Sequence, residues 1–411
     1  MKFSLFVGLL VPFVAAKVSY NGWKAYKIDT VHSHEAVTNS LKDFHHVSLG
    51  CGHSRGALEV AISPESLDAF RALDLNTTLL NDDLGVEIAE EGMFEAYNPT
   101  TKAQGLVAAL PNKSYFKSYH NLEQHFQFLS DLHASLPNNS EIFSAGKSVQ
   151  NRELRGIHLW GNGAQGKNPA IIWHGNVHAR EWITAMGYKN NDALIRDTLD
   201  SYDFYIMPIV NPDGFVYTTK TDRLWRKNRQ KYPRHSCIGT DINRNWPYKW
   251  DVPGGASEYP CDETYRGVEA GDTPENQALV NHTMTISKNT GIRSYVDWHS
   301  YSQLILLPYG YSCSAKANNL RTQMDVASGV ADAIRKVHGL EFEYGPTCET
   351  IYQTSGESSD WVFDVAKAEF SWGIELRPRR LTGDGFVIPA NQIVQSGEEI
   401  WAGMRYLFAR L

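Results

Sequence analysis

The stretch WHGNVHAREWI, Trp173 to Ile183, decides how the rest of the chain is interpreted. It begins at the end of an apolar run, Ala170 to Trp173, that predicts a buried strand. His178 and Glu181 lie three residues apart, so an imidazole nitrogen and a carboxylate oxygen can reach one divalent metal from a single short turn. Open α/β sheets form their ligand sites at strand ends. The stretch therefore predicts a metal site at the edge of a sheet.

The His-x-x-Glu spacing is not specific by itself. It recurs at three other places in the chain, which are His32/Glu35, His120/Glu123 and His338/Glu341. Only the pair at His178 follows directly on an apolar strand, and this position is what distinguishes it.

Length and composition exclude several classes of protein. The chain has 411 residues, which favours two domains over a single small core. The formal net charge is -7, and without a basic excess nucleic acid is not expected as a partner. No stretch approaches the 18 uninterrupted apolar residues that a membrane span needs, so no membrane association is expected. We expect a monomer.

The first 16 residues predict a secretory signal. Lys2 supplies a positive end, Leu5 to Val14 is apolar apart from Gly8 and Pro12, and Val14-Ala15-Ala16 fits a cleavage site. We therefore expect a secreted, extracellular protein. Sequons for N-glycosylation agree with this compartment and occur at Asn76, Asn112, Asn138 and Asn281.

The cysteines also suit an oxidising compartment. They are Cys51, Cys237, Cys261, Cys313 and Cys348. The simplest arithmetic gives two disulfides in the C-terminal part and one leftover thiol, Cys51. Four cysteines allow three connectivities, and spacing does not choose among them.

Residues 17 to about 95 predict a small α+β unit. Ala57 to Ile62 reads as a strand, and Pro64 opens a helix. Thr78-Leu79-Leu80, together with Leu84 to Ala89, suggests further strand. Its histidines could bind metal, but a solvated surface group is the favoured interpretation; they are His32, His34, His45, His46 and His53. Residues 93–118 are polar and form a linker, where proteolytic nicking concentrates.

From Ile142 onward strands alternate with helices. The pattern predicts an α/β fold with a mixed, mostly parallel sheet flanked by helices. The clearest strands are Ala170 to Trp173, Phe204 to Val210, Tyr295 to Trp298, Leu304 to Leu307 and Phe370 to Leu376. The clearest helices are Asn121 to Leu136, Thr273 to Lys288 and Asn319 to His338.

Further polar residues follow these strands. His299 comes directly after Trp298, and Glu375 lies near the end of its strand. Two His and one Glu with an open fourth position form a known catalytic zinc set, and another Glu can then act as general base. The alternatives are a hydrogen-bonded core histidine at 299 and a Glu375–Arg377 ion pair. Asn211 to Gly214 reads as a turn.

Seven ordered blocks carry a resemblance to a known family. They are His-Ala-Arg-Glu-Trp-Ile-Thr (178–184), Asn-Pro-Asp-Gly-Phe (211–215), Arg-Leu-Trp-Arg-Lys (223–227), Asp-Ile-Asn-Arg-Asn-Trp (241–246), His-Ser-Tyr-Ser-Gln (299–303), Ile-Tyr-Gln-Thr-Ser-Gly (351–356) and Glu-Leu-Arg (375–377). Together they resemble the zinc metallocarboxypeptidases of the carboxypeptidase A/B family, in the secreted branch that carries a pro-segment. The resemblance implies a signal at 1–16, an activation pro-segment and linker at 17–112, and a catalytic domain at 113–411.

The resemblance implies a role for each matching residue. His178, Glu181 and His299 would bind one Zn²⁺, Glu375 would move the proton between the attacking water and the leaving amine, and Arg226 would stabilise the oxyanion. The residues expected to bind substrate are Arg180, Asn243, Arg244, Tyr301, Tyr352 and Ser359. Asn243 and Arg244 match a clamp for the C-terminal carboxylate, and Tyr352 matches a mobile tyrosine that closes over the substrate.

Specificity is expected to depend on the pocket for the last side chain. Ser359 matches the main determinant, and Gly310 and Gly373 match wall positions. None is acidic, so the resemblance implies neutral, bulky C-terminal residues, aliphatic or aromatic. Glu357 and Asp360 are close in sequence, and a carboxylate at the pocket base would favour a basic residue instead.

The resemblance also implies disulfides Cys237–Cys261 and Cys313–Cys348. The chain departs from the family at Ala185 to Asp200. This segment is about ten residues too short for the family's buried helix, so roughly 15 Å of helix is missing at 1.5 Å per residue. Loss of that helix would uncover one face of the sheet, so we expect low stability unless Asp192 to Leu199 substitutes for it in part.

The leading hypothesis is a secreted zinc carboxypeptidase made as a zymogen, which acts on peptide C-termini and needs an activating protease. A zinc-binding pseudoenzyme that holds C-terminal tails is the alternative, supported only by the short helix. An unrelated metal-free binding module would require all seven blocks to be coincidental.

Overall fold

The computed structural model describes residues 17–30, 34–50, 56–91, 94, 96–97, 113–186, 193–379 and 385–411. The expected signal, Cys51, Asn112, His32, His53 and most of the expected linker lie outside the described residues. No helix within the described residues is long and apolar enough to cross a membrane.

The strands and helices are named in chain order. The strands are β1 (Lys24–Asp29), β2 (His46–Ser48), β3 (Ala57–Ile62), β4 (Thr77–Asn81), β5 (Ser140–Lys147), β6 (Glu153–Leu159), β7 (Ala170–Gly175), β8 (Asp203–Met207), β9 (Ile292–Ser302), β10 (Leu304–Leu307), β11 (Glu343–Pro346) and β12 (Phe370–Arg379). The α-helices are α1 (His34–Leu41), α2 (Leu67–Arg71), α3 (Leu84–Glu91), α4 (Leu122–Ser135), α5 (Ala193–Ser201), α6 (Pro212–Lys220), α7 (Pro274–Asn289), α8 (Leu320–His338), α9 (Thr347–Thr350), α10 (Ser358–Asp364) and α11 (Gln392–Phe408).

The first sheet is antiparallel, with strand order β2-β3-β1-β4. It packs with α1 and α2 around a core that includes Ile28, Val60 and Phe70. This small α+β unit fits the pro-domain expected from the sequence. We call residues 17–91 the N-terminal unit.

The strand predicted at Leu84 to Ala89 is wrong, because this segment is helix α3. Leu84, Val86 and Ile88 alternate as a strand would, but only Leu84 and Ile88 face the core, at helical i, i+4 spacing. Val86 is 55% exposed. The Asp83 carboxylate accepts the backbone N–H of Gly85 at 2.9 Å, which favours a helix start.

The second sheet has eight strands in the order β11-β10-β12-β9-β7-β8-β6-β5. The central pairs β12/β9, β9/β7 and β7/β8 are parallel, and so is β10/β11. The remaining three pairs are antiparallel. Helices α4, α8 and α11 pack on one face, and α7 and α10 pack on the other. The predicted mixed, mostly parallel sheet between two helical layers is therefore confirmed.

Two predicted elements differ in detail. The strand predicted to run to Val210 ends at Met207. The turn predicted at Asn211 to Gly214 is the first turn of α6, because the Asn211 side chain accepts the backbone N–H of Gly214 and Pro212 occupies the first helical turn.

The chain after Glu181 forms a short 3₁₀ helix, Trp182–Ala185. Residues 187–192 lie outside the described residues, and α5 follows. A cavity of about 80 Å³ lies against this face of the sheet. Apolar side chains line much of it, among them Trp173, Ile183, Met186, Trp298 and Trp401. This is the face that the short connection was expected to uncover.

The two expected disulfides are present, joining Cys237 to Cys261 and Cys313 to Cys348. The second bridge ties the loop after β10 to α9. Three of the sequons, at Asn76, Asn138 and Asn281, are exposed.

Candidate active site

Three potential metal ligands from separate parts of the chain meet at the edge of the second sheet. The Nδ1 atom of His178 lies 2.8 Å from Oε1 of Glu181. The Nδ1 atom of His299 lies 3.2 Å from Nδ1 of His178 and 3.2 Å from Oε2 of Glu181. Within the described residues this is the only group of three or more such ligands, and all three are buried.

The fold brings these side chains together because β7 and β9 are parallel neighbours. His178 and Glu181 follow β7, and His299 lies near the end of β9. Gly175, the last residue of β7, allows the loop to turn closely, since a Cβ there would lie 2.7 Å from the carbonyl oxygen of Thr184. Asn211 holds the same loop by donating to the carbonyl of Val177 at 3.0 Å.

Two aspartates that the sequence analysis missed contact the outer ring nitrogens. Nε2 of His178 lies 3.1 Å from Oδ1 of Asp241, and Nε2 of His299 lies 3.4 Å from Oδ2 of Asp297. Such contacts fix which imidazole nitrogen is free for a metal. Asp241 opens a block already singled out, and Asp297 lies two residues before His299, so both could have been found as acidic neighbours of predicted ligands.

The donor set fits zinc. Ligands at about 2.0–2.2 Å from a tetrahedral zinc lie roughly 3.3 Å from each other, close to the distances found. Burial alone would raise the pKa of Glu181, but His178 and His299 hold it below its ordinary value. The carboxylate is therefore ionised, as a metal ligand must be.

Glu375 and Arg226 line a cavity that His178 and His299 also line. Glu375, on β12, is paired in register with His299 on the parallel strand β9. The guanidinium of Arg226 donates twice to Oδ2 of Asp241, through Nε at 3.1 Å and Nη2 at 2.8 Å. Burial would raise the pKa of Asp241, yet Arg226 and His178 hold it well below its usual range. One carboxylate thus fixes both the arginine and a candidate ligand.

The predicted carboxylate clamp lies beside the cluster. The Asn243 side chain accepts the backbone N–H of Ser358 at 2.8 Å, and its Nδ2 lies 3.3 Å from Nε2 of His299. Nη2 of Arg244 donates to the Tyr352 hydroxyl at 3.2 Å. These three predicted substrate residues line the same cavity as the metal cluster.

Comparison with known proteins agrees with this geometry. Residues 125–403 match the model of the zinc carboxypeptidase family. The chain is 39% identical over 414 residues to a probable metallocarboxypeptidase A of Trichophyton verrucosum, covering 97% of this chain and 95% of the relative. The chain belongs to the zinc carboxypeptidase family. It is also 40% identical over 405 residues to a metallocarboxypeptidase A of Arthroderma otae, covering 95% of this chain and 93% of that one.

Two solved structures share the fold. A crystal structure of thrombin-activatable fibrinolysis inhibitor superposes with a TM-score of 0.83 at 25% identity, covering 95% of this chain and 99% of that chain. Carboxypeptidase A from Helicoverpa armigera gives a TM-score of 0.77 at 23% identity, covering 95% of this chain and 97% of that chain. Both likenesses extend over the N-terminal unit as well as the larger domain.

The cavity of this zinc carboxypeptidase also contains a carboxylate apart from the metal cluster and Glu375. Ser359 and Gly373 line the cavity, as the resemblance implied, and Gly310 lies against Glu357. The Glu357 side chain lines it too. Its Oε1 would lie 2.4 Å from a Cβ placed on Gly310. An acidic group therefore occupies the space that the small wall residues leave.

The remaining predicted substrate residues contact the N-terminal unit. Arg180 is fully buried and donates to the carbonyl of Ser48 at 3.0 Å, while pairing with Glu263 at 3.3 Å. The Tyr301 hydroxyl donates to Glu59. Arg180 was expected to bind substrate, but in this structure it contacts the N-terminal unit.

Arg223 lies in the sequence block Arg-Leu-Trp-Arg-Lys (223–227) and also contacts the N-terminal unit. Its Nη2 donates to Oε1 of Glu91 at 2.7 Å, and its guanidinium also donates to the carbonyls of Arg180 and Phe386. The guanidinium carbon lies 3.8 Å from the ring centre of Trp182, a cation–π distance. Both members of this ion pair are buried.

Proposed function

We propose that this protein is a zinc-dependent exopeptidase that hydrolyses the C-terminal peptide bond of peptides and proteins. The observation that carries the proposal is the buried His178–Glu181–His299 cluster, which shares one cavity with Glu375, Arg226 and the Asn243–Arg244 pair. A metal site, a base and guanidinium groups in one cavity are what hydrolysis beside a free carboxylate requires.

The cluster is proposed to hold one Zn²⁺, which when bound would polarise the scissile carbonyl and increase the acidity of water at the site. Glu375 is the proposed base. It takes a proton from the attacking water as the oxygen bonds to the carbonyl carbon, and it passes that proton to the departing amine as the carbon–nitrogen bond breaks. Its strand register beside His299 supports this role.

Arg226 is proposed to donate to the carbonyl oxygen as negative charge develops on it. Asp241 holds its Nε and Nη2, so its position is set before the substrate arrives. A prepositioned donor in a water-poor site stabilises an oxyanion more than a mobile one does.

The C-terminal carboxylate of the substrate is assigned to Asn243 and Arg244. A guanidinium matches a planar carboxylate bidentately. Tyr352 already contacts Arg244, and is proposed to move with the substrate carboxylate. Arg180 and Tyr301 would become available to the substrate once the N-terminal unit is removed.

We further propose a secreted zymogen. Residues 1–16 would be the signal, residues 17–112 the pro-segment and linker, and residues 113–411 the catalytic domain. The contacts of Ser48 with Arg180, of Glu59 with Tyr301 and of Glu91 with Arg223 support inhibition by the N-terminal unit. A protease that cuts within residues 100–114 would be the activating partner. A monomer remains our prediction.

The preference for neutral C-terminal residues also remains a prediction. It is based on Ser359, Gly310 and Gly373, none of which is charged. Glu357, a buried carboxylate on the same cavity, provides a reason to replace this prediction.

The test is release of C-terminal Phe, Leu, Lys or Arg from blocked dipeptides after the N-terminal unit has been cut away, with and without a zinc chelator. Chelator-sensitive release of at least one residue supports the proposal. No release by the zinc-loaded, cut protein would favour the non-cleaving, tail-binding alternative.

A further inference from the structure

Glu357 lies where the side chain of the substrate's last residue is expected to enter. The residue directly precedes α10 and is only 4% exposed. Oε2 accepts the Thr354 hydroxyl at 2.5 Å, and Oε1 accepts the Ser359 hydroxyl at 3.0 Å. Thr354 and Ser359 line the same cavity. Two hydroxyl groups of the cavity therefore donate to one carboxylate.

Gly310 supplies the space for this arrangement. Any larger residue there would bring its Cβ to 2.4 Å from Oε1 of Glu357 and 2.0 Å from Oγ1 of Thr354. Gly310, which matches a wall position of the pocket, therefore accommodates the Glu357 carboxylate.

A second buried acid supports the first. Asp360 accepts the backbone N–H of Gly310 at 3.1 and 3.0 Å and that of Tyr311 at 3.1 Å. Burial, and then the charge of Glu357, raise the pKa of Asp360 well above its usual range. Burial beside a second acid thus favours the protonated form of Asp360, which also forms a hydrogen bond with Glu357.

The two acids have no basic partner in the part of the chain that the structure describes. Within the described residues, neither Glu357 nor Asp360 forms an ion pair with Lys, Arg or His. Some other buried carboxylates have such a partner, namely Asp241 with Arg226, Glu91 with Arg223 and Glu399 with Arg377. A buried charge is costly unless it is paired.

We propose that Glu357 is the specificity-determining residue of the pocket and that it selects a cationic C-terminal side chain, lysine or arginine. This proposal rests on the exopeptidase function above and names its substrate class. An ammonium or guanidinium would form a charge-assisted hydrogen bond with the carboxylate. An aromatic or aliphatic side chain would exclude water from Glu357 and give it no partner in return.

The test compares Glu357→Gln, which keeps the shape but removes the charge, with Glu357→Asp, which keeps the charge. The kcat/KM ratio for release of C-terminal Lys over Leu from blocked dipeptides is measured on cut, zinc-loaded protein. Loss of a charge-assisted bond predicts that Glu357→Gln lowers this ratio by about 10- to 100-fold. Glu357→Asp should retain a ratio above one.

Glu349→Gln is the matched control. It removes the same charge from α9, where Glu349 pairs with Lys316 and is partly exposed. It should leave the ratio unchanged. If it lowers the ratio as much as Glu357→Gln does, net charge rather than Glu357 selects the substrate, and the proposal is wrong.

Binding separates this inference from catalysis. The same dipeptides are titrated calorimetrically into zinc-loaded, cut Glu375→Gln protein, with and without Glu357→Gln. Tighter binding of Lys or Arg than of Leu or Phe, lost with Glu357→Gln, supports the inference even if the wild-type protein releases nothing. Tighter binding of Leu or Phe, unaffected by Glu357→Gln, contradicts it, while chelator-sensitive release of these residues would leave the exopeptidase function intact.

Discussion

The cavity holds two acidic clusters that differ in how their charge is balanced. At the metal cluster, Glu181 faces two imidazoles, and the outer nitrogens of those rings face Asp241 and Asp297. At the pocket, Glu357 faces hydroxyl groups and Asp360, with no ion pair among the described residues. Both clusters are buried, yet only the first has basic side chains of its own.

The difference indicates what each cluster is built to receive. Converging imidazole nitrogens and a carboxylate oxygen make a ligand set for a divalent cation, which the protein would hold permanently. A lone carboxylate with hydroxyl neighbours suits a cation that enters and leaves with each substrate. His299 and Asp241 variants change the metal cluster and leave the pocket intact, whereas Glu357 variants change only the pocket.

Removal of a metal ligand should have the largest effect. His299→Ala is expected to lower bound zinc from one per chain toward none, and peptide release to background. Elemental analysis and dipeptide release measure the two effects. Glu375→Gln is the control, because it should keep the zinc while losing about 10²- to 10⁴-fold in kcat, the usual contribution of a general base. If His299→Ala retained full zinc occupancy, the assignment of this ligand would fail.

Asp241 should have the next largest effect, because it contacts both His178 and Arg226. Asp241→Asn is expected to weaken zinc affinity by about 10- to 100-fold, as loss of a carboxylate behind a histidine ligand does. Competition with a zinc-binding dye gives the affinity. Asp251→Asn changes an exposed aspartate and should leave it unaffected. Equal zinc affinities for the Asp241 variant and the wild type would contradict the role given to Asp241.

Glu91 should control how tightly the uncut precursor is held inactive. Glu91→Gln removes the carboxylate that pairs with buried Arg223 and leaves the guanidinium uncompensated, at a cost of about 3–5 kcal/mol. Basal peptide release by uncut precursor should rise. Glu90→Gln, on the exposed side of the same helix, is the control. An unchanged basal rate in the Glu91 variant would mean that this ion pair does not contribute to inhibition.

The smallest expected effect concerns the connection after Met186. A cavity of about 80 Å³ lined by side chains such as Trp173 and Trp401 costs about 2 kcal/mol at ~24 cal/mol per Å³. Inserting about ten helix-forming residues after Met186 should therefore raise the midpoint of thermal unfolding by a few degrees. The same insertion near Gly163, in an exposed loop, should not. Equal midpoints for the wild type and the Met186 insertion would refute the stability argument.

The sequence predicts structure correctly where the pattern is local or where it matches one of the seven sequence blocks. The apolar pattern predicts both the strand Ala170 to Trp173 and the helix that ends at His338. Gly339 ends that helix in the left-handed conformation that glycine favours. The metal cluster was assembled from residues far apart in sequence because strand-end positions predict a shared edge.

The sequence did not predict the features that depend on tertiary packing. Leu84 to Ala89 alternates like a strand, but the core needs only Leu84 and Ile88, so the segment is helical. The sequence also did not show that the Glu357 side chain lies on the pocket. Only Ser359 matched the position expected to determine substrate specificity. Only the fold brings the carboxylate against Gly310.

The most direct test of the account is a zinc titration of metal-stripped, cut wild-type protein with dipeptide release as the readout. We predict that release returns linearly and saturates at one zinc per chain, and that His299→Ala stays at background throughout. Full release before any zinc is added, or saturation unrelated to one zinc per chain, would contradict the proposal that His178, Glu181 and His299 form the catalytic metal centre.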